Sequence, residues 1–286
     1  MKNLRLLLGI FAVLGILFST GCNDLDNGND QNGTLVIKLT DAPFPINMID
    51  AATVSISKVE IRKACECEED GPPFMVLAEF DPPEDFNLLE LRNGVTADLL
   101  EVEIEPGNYD LIRLYVDKAG LKVKDGEDYF LKVPSGAQTG IKIFLEPALQ
   151  VAGGLSTDVL LDFNVDSSFI LKGNTNSPAG IKGFNFKPVI RAVNNTMAGT
   201  VAGVVNHSDT AIHNASVWIE QEEVITTAYT DEEGYYALPG LPAGLYTLSA
   251  SYEDFDTVTV DGLEVVAGNL TVQDFTLTPL VAEEEE

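Results

Sequence analysis

Little in this 286-residue chain has the chemistry to act on a substrate: it carries three cysteines, two histidines and one tryptophan. Cys65 and Cys67 lie in KACECEEDGPP, a C-x-C pair among Glu66, Glu68, Glu69 and Asp70. Thiolates surrounded by carboxylates can hold a soft metal. A zinc site, however, takes four ligands, usually two C-x₂₋₄-C pairs or one pair joined by histidines. No second pair exists, and His207 and His213 are far along the chain. A local disulfide or two free thiols is therefore preferred to a metal site, and a disulfide suits an oxidising compartment. The acidic run DLDNGND at 24–30 misses the D-x-D-x-[DN]-G spacing of a calcium loop.

Catalytic signatures are missing. There is no G-x-S-x-G elbow, H-E-x-x-H, P-loop or set of dinucleotide-binding glycines. Two histidines make a His-dependent triad a poor fit. They flank NHSDTAIH and read as exposed loop residues. With 45 acidic residues, spacing cannot single out a carboxylate pair for hydrolysis. Asp162 and Asp166 in LLDFNVDSS stand out, because an aspartate within an apolar strand needs a partner if buried. A hydrogen bond to a neighbouring turn is the expected one. Arg113 in LIRLYV and Arg191 in PVIRAV read as lone charges alternating toward the polar face. No catalytic residue, metal or cofactor is assigned.

The sharper binding signal is Trp218. In Ala215-Ser216-Val217-Trp218-Ile219-Glu220, period two puts Ala215, Val217 and Ile219 on one face. Trp218 then shares the other face with Ser216 and Glu220 and points out of its own sheet. An outward aromatic ring is a stacking platform for a sugar. Tyr229 and Tyr235, on the next two strands, extend it if register allows. The competing reading packs Trp218 against another domain, burying about 150–250 Å².

The elements that hold these residues are strands. TLVIKLT at 34–40 alternates Leu35, Ile37 and Leu39 with polar neighbours. ATVSISKVEIR at 52–62 repeats the pattern but slips phase at Lys58, which predicts a bulge. Further runs cover 98–104, 110–116, 120–124, 129–133, 141–145, 157–165, 169–171 and 180–192, with turn residues between them. DPPEDFNLLEL at 81–91 is the best helical candidate, held to a turn or short helix by its prolines. Strands at this spacing predict an all-β chain of sandwiches or barrels.

The N-terminus sets the address. Lys2 and Arg5 precede an apolar run, Leu6 to Phe18, which as a helix is about 20 Å long, too short for a hydrocarbon core of about 30 Å. It reads as a secretory signal peptide, residues 1–21. Ser19-Thr20-Gly21-Cys22 resembles a bacterial lipobox, with Ser19 where leucine is preferred. The resemblance implies that Cys22 is lipidated and anchors the chain to a membrane. An ordinary signal peptide with Cys22 incidental is the alternative. Residues 22–33 are nearly devoid of apolar side chains and read as a flexible tether. Residues 281–286 form an acidic tail. The net charge of −28 repels phosphate backbones, so nucleic acid is excluded as a partner.

Two resemblances divide the rest. Residues 34–193 resemble the family known as domain of unknown function 4382, found in envelope lipoproteins. The matching stretches are GTLVIKLTDAP, VSISKVEI, LLELRNG, EPGNYDLIRLYVD, LKVPSGAQTGIKI, LLDFNVDSS and FNFKPVIR, in the family's order. Residues 197–280 resemble the carboxypeptidase regulatory-like domain through AGTVAGVV, ASVWIE, TDEEGYYALPGLPAGLYTLSASYEDF and TVQDFTL. That resemblance implies a transthyretin-like sandwich without peptidase chemistry, and a carbohydrate-binding-like fold by analogy only. An internal echo links the two segments: PGNYDL at 106–111 parallels AGLYTL at 243–248. Related tandem sandwiches explain it, and so does ordinary strand-opening chemistry.

Three functions compete. The first is a non-catalytic, lipid-anchored protein of the cell envelope, with the outer membrane as the expected address, binding a glycan or an envelope protein. The second is a structural or assembly subunit pairing through sheet edges. The third is a hydrolase with a carboxylate pair.

Overall fold

A computed structural model of the protein describes residues 31–42, 49–65, 73–133, 139–173 and 180–280. The expected signal peptide, Cys22, Cys67 and the acidic tail lie outside these residues.

Among the described residues the first domain runs β1 (Gly33–Ala42), β2 (Ile49–Lys63), β3 (Met75–Asn87), β4 (Ala97–Ile104), β5 (Gly107–Val123), β6 (Asp128–Leu131), β7 (Ile141–Val151), β8 (Ser156–Asn164), β9 (Phe169–Gly173), β10 (Ile181–Phe186) and β11 (Ile190–Asn194). One sheet has the order β11-β8-β1-β4. The other is β3-β2-β5-β6, with β7 also paired to β5. Alternation dictates what lies between the sheets. Leu35, Ile37 and Leu39 of β1 meet Val159, Leu161 and Phe163 of β8 and the inward residues of β2 and β5 in one apolar core. The expected slip in β2 is real: Ile56 and Lys58 face the adjacent residues Val116 and Tyr115 of β5, so Ser57 is the extra residue of a bulge against that strand.

Several expectations need correction. Residues 81–87 are strand, part of β3, and only Leu88–Glu90 coil, as one turn of 3₁₀ helix. Pro82 and Pro83 are tolerated because β3 is an edge strand, where a missing N–H costs no ladder bond. The runs at 110–116 and 120–124 are one strand, β5, which continues through a register shift opposite Ser55 and Ile56. The run at 180–192 is two strands, split at residues 187–189 by Pro188. The end of the expected tether is already held, since Gly154 N donates to Asn32 O (3.0 Å) and Gly33 opens β1.

The second domain runs β12 (Ala198–His207), β13 (Thr210–Ala211), β14 (Ser216–Glu220), β15 (Val224–Tyr229), β16 (Tyr235–Pro242), β17 (Gly244–Ser251), β18 (Val258–Val265), β19 (Leu270–Val272) and β20 (Phe275–Thr276). β13-β12-β16 form one sheet, with β19 and β20 beside β12. β15-β14-β17-β18 form the other. The Asp231–Gly234 turn joins β15 to β16, with Gly234 at φ 76. Pro239 to Pro242 continue β16, leaving Ala243 alone between the strands. The chain is all-β, with two β-sandwich domains in tandem.

A 3₁₀ turn, Asn195–Met197, joins the domains. Leu160, on the outer face of β8, is 1% exposed yet outside the first core. It is covered by Gly240 of the second domain, where an added Cβ would stand 3.2 Å from Leu160 Cδ2 on backbone at φ +70. Glycine is required there twice over, for room and for conformation.

Candidate functional site

Trp218 lies on β14, and burial alternates along that strand as the sequence requires: Val217 and Ile219 are fully buried, Ser216, Trp218 and Glu220 half-buried. Its cross-strand neighbours are Thr227 of β15 and Ser249 of β17, so hydroxyls flank the indole on both sides. Ser249 also meets Thr259 Oγ1 at 2.9 Å. Tyr229 stands opposite Ser216, on the same face as Trp218 and diagonal to it, within reach of an aromatic side chain. Burial pushes the Tyr229 phenol above its ordinary range, while a hydrogen bond with Ser216 pulls the other way. Tyr235 is not on this face. It belongs to β16, paired with Val204 of β12 in the opposite sheet. The chain reverses at Asp231–Gly234 across the sandwich, not along the sheet, and period two cannot distinguish these paths.

Tyr229 also forms part of a groove of about 640 Å³ between the domains. Arg92 and Asn93 line it from the first domain, His213, Asn214 and Asp231 from the second. Asn93 Nδ2 donates to Tyr229 O (3.1 Å), tying the walls together. Both asparagines stand on left-handed backbone, Asn93 at φ 53 and Asn214 at φ 64. Asparagine tolerates that region better than most residues. All 17 lysines and arginines precede Ala192, so the second domain offers no cation beyond its histidines.

The charges that looked solitary are paired. Arg191 Nη2 bonds Asp162 Oδ2 at 2.9 Å across β11 and β8, and Nη1 donates to Gly240 O (3.2 Å) in the second domain. Asp162 thus finds a partner on the neighbouring strand. Arg113 Nη1 lies 3.4 Å from Glu60 Oε2, which also accepts from Tyr115 (2.9 Å), while Lys58 reaches Glu60 Oε1 at 2.8 Å. Asp41, beside Asp162, is buried. Its Oδ1 accepts from Val165 N (3.3 Å), and its Oδ2 meets no donor among the described residues. Burial holds the Asp41 carboxyl well above its usual range and the Asp162 charge adds to this. The Val165 bond and Arg92 oppose it. Asp166 is raised by burial.

His207 is not an exposed loop residue. It ends β12, half-buried, with Nδ1 2.9 Å from Leu277 O and its ring 5.3 Å from that of Phe255. His213 is exposed. Cys65 is disulfide-bonded, and its partner lies outside the described residues.

A model of the family described as Domain of unknown function (DUF4382) matches residues 32–188. The chain belongs to that family. Its DUF4382 domain is followed by a match to the carboxypeptidase regulatory-like domain at residues 197–278, the order read from the sequence. The groove therefore takes one wall from the DUF4382 domain. No curated protein matches the chain. Among solved structures, similarity is found to a mutant type II cohesin–X-dockerin complex from Acetivibrio cellulolyticus, 17% identical over 31% of this chain and 64% of that one, at a TM-score of 0.25. It is also found to the minor pilin of Streptococcus agalactiae, 7% identical over 88% of this chain and 98% of that one, at 0.25. The shaft pilin SpaA from Lactobacillus rhamnosus GG is 10% identical over 89% and 100% of the two chains, again at 0.25. The chain thus spans under two thirds of the cohesin–dockerin relative's length. At these scores the likenesses carry no functional weight.

Proposed function

We propose that the protein is a non-catalytic lipoprotein of the cell envelope, held at the outer membrane by acylated Cys22, whose β-sandwiches bind a glycan or a protein partner. The observation that carries the binding half is Trp218 on the outer face of its sheet, between Thr227 and Ser249 and diagonal to Tyr229. A flat apolar ring offers a sugar a stacking surface and the neighbouring Thr227 a hydroxyl, while Ser249 on the other side is buried and bonded to Thr259. The anchoring half rests on the lipobox-like Ser19-Thr20-Gly21-Cys22 and the short apolar run before it. One acyl chain holds only marginally, so the reading requires at least two on Cys22.

The assembly reading draws less support from the sheet edges of the first domain. β3 carries Pro82 and Pro83, and β4 presents exposed Asp98, Glu101 and Glu103. Proline and charge both blunt an edge against strand addition. The hydrolase reading loses its leading carboxylate, because Asp162 is committed to Arg191.

Two experiments test the proposal. A palmitate analogue fed to cells should label the wild type and not Cys22→Ser, which should leave the membrane fraction. Equal labelling of both ends the lipoprotein reading. Residues 23–286 should capture a glycan on an array or an envelope protein in a pull-down, and capture of neither ends the binding reading.

A further inference from the structure

The interdomain groove deepens the glycan half of that reading and rests on it. Its volume of about 640 Å³ falls within the range of small-ligand sites, which favour domain junctions. Its acids are largely engaged by their own turns. Asp231 Oδ1 accepts from Glu233 N (3.1 Å) and Tyr235 N (2.8 Å), and Glu90 accepts from Asn87 Nδ2 (2.8 Å). Since the second domain has no lysine or arginine, the groove's permanent cation comes from the first, as Arg92. Arg92 Nε is fixed on Leu89 O (2.7 Å), and its Nη groups form no ion pair with a described residue. The Asn214 amide likewise has no hydrogen-bond partner among the described residues. What remains uncommitted is a guanidinium fork on one wall, a primary amide on the other, and the half-buried Tyr229 ring.

That set suits a ligand rich in hydroxyls and without charge. A polyanion would approach a chain of net charge −28 past the exposed Glu232 on the rim. A cation would find Asp231 and Glu90 already accepting hydrogen bonds and Arg92 facing it. We propose that this groove binds a neutral oligosaccharide, stacked on Tyr229 and hydrogen-bonded by Arg92 and Asn214 from opposite domains. The Asn93–Tyr229 bond sets the separation of the two walls. Tyr229 shares its face with Trp218, so a longer saccharide continues from the groove onto the indole.

The test uses residues 23–286 and a panel of neutral hexasaccharides with their uronate counterparts, read by calorimetry. Wild type should bind at least one neutral hexasaccharide. Arg92→Ala and Asn214→Gly should each weaken that binding at least fivefold while far-ultraviolet circular dichroism shows each variant folded. Glycine keeps the left-handed backbone at 214, and Arg92→Lys, which loses the planar fork, replaces Arg92→Ala if that variant misfolds. Either variant binding less than fivefold weaker overturns the groove. If Trp218→Ala alone weakens binding, the groove fails and the Trp218 platform stands. Binding of uronates only overturns the groove, and binding of no saccharide overturns both it and the glycan reading.

Discussion

Tyr109 and Tyr246 make the same hydrogen bond in different domains. Each phenol donates to the carbonyl four residues before it, Tyr109 to Glu105 O and Tyr246 to Pro242 O, at 2.7 Å in both cases. Each follows by two residues a glycine that opens a strand, Gly107 in β5 and Gly244 in β17, and each is buried. The sequence echo at these positions is therefore a shared structural device: a tyrosine that fastens the approach to a strand onto the strand itself. Burial raises both phenols above their ordinary range.

Tyr109→Phe and Tyr246→Phe should each cost about 1–2 kcal/mol, the loss of one hydrogen bond with a carbonyl left short of a donor. Trp218 is the chain's single tryptophan, so its fluorescence reports the second domain. If the domains unfold separately in urea, Tyr246→Phe should shift that signal, and Tyr109→Phe should shift only far-ultraviolet circular dichroism. One shared transition for both variants would mean that the domains unfold as a unit.

The Asp162–Arg191 pair is expected to behave as a buried one. Asp162 is 6% exposed, and Arg191→Leu would remove the guanidinium that pairs with it, at a cost of about 3–5 kcal/mol. The double variant Asp162→Leu/Arg191→Leu should recover most of that loss, because well-packed apolar residues often replace such pairs without penalty. Chemical denaturation of the three variants completes a double-mutant cycle, and additive losses would remove the coupling.

Asp41 should oppose stability at neutral pH. Its folded carboxyl titrates well above the unfolded value, so the folded state holds the extra proton between the two. Stability from this group is complete below about pH 4, the unfolded range, and is lost as pH rises through the folded value. Asp41→Asn should therefore be more stable than wild type at pH 7.5, and the margin should shrink toward pH 4.5. Urea midpoints at both pH values measure it, and a constant margin would contradict the assignment.

Trp218→Ala should fall between surface and core behaviour, because the indole is half-buried. A cost of about 1–2 kcal/mol is expected, above the about 0.5 of surface changes and below the about 3–5 of core aromatics. Acrylamide should quench the wild-type emission in part. Fully protected, blue-shifted emission would show a packed residue and remove the platform.

Much of the first domain was legible because strands such as β1 alternate apolar and polar residues, and even the Ser57 bulge left a trace as a phase slip at Lys58. β3 was not legible, because its two prolines mark a break in any central strand and an edge position is a property of the sheet. Arg191 looked solitary for a related reason. Its partner lies 29 residues away and meets it only through the pairing of β11 with β8. The groove was least legible of all. Asn93 and Tyr229 are 136 residues apart, and nothing local in either segment marks the other.

The parallel pairing of β1 with β8 has a consequence in time. Thr34 is laid beside Ser156, and Ala42 beside Asn164, so the first strand made must wait for a partner made roughly 120 residues later. At about 5–20 residues per second that wait is roughly 6–24 s. Until β4 is made, roughly 60–70 residues on, Leu35, Ile37 and Leu39 have no sheet to close on, and until β8 is made the other edge of β1 stays open; TLVIKLT is a short, strand-forming apolar segment with one charge. The order of synthesis thus makes the domain's opening strand its most vulnerable one. A chain in which β1 is held apart until β8 arrives escapes self-association, and one released early in the company of its copies does not.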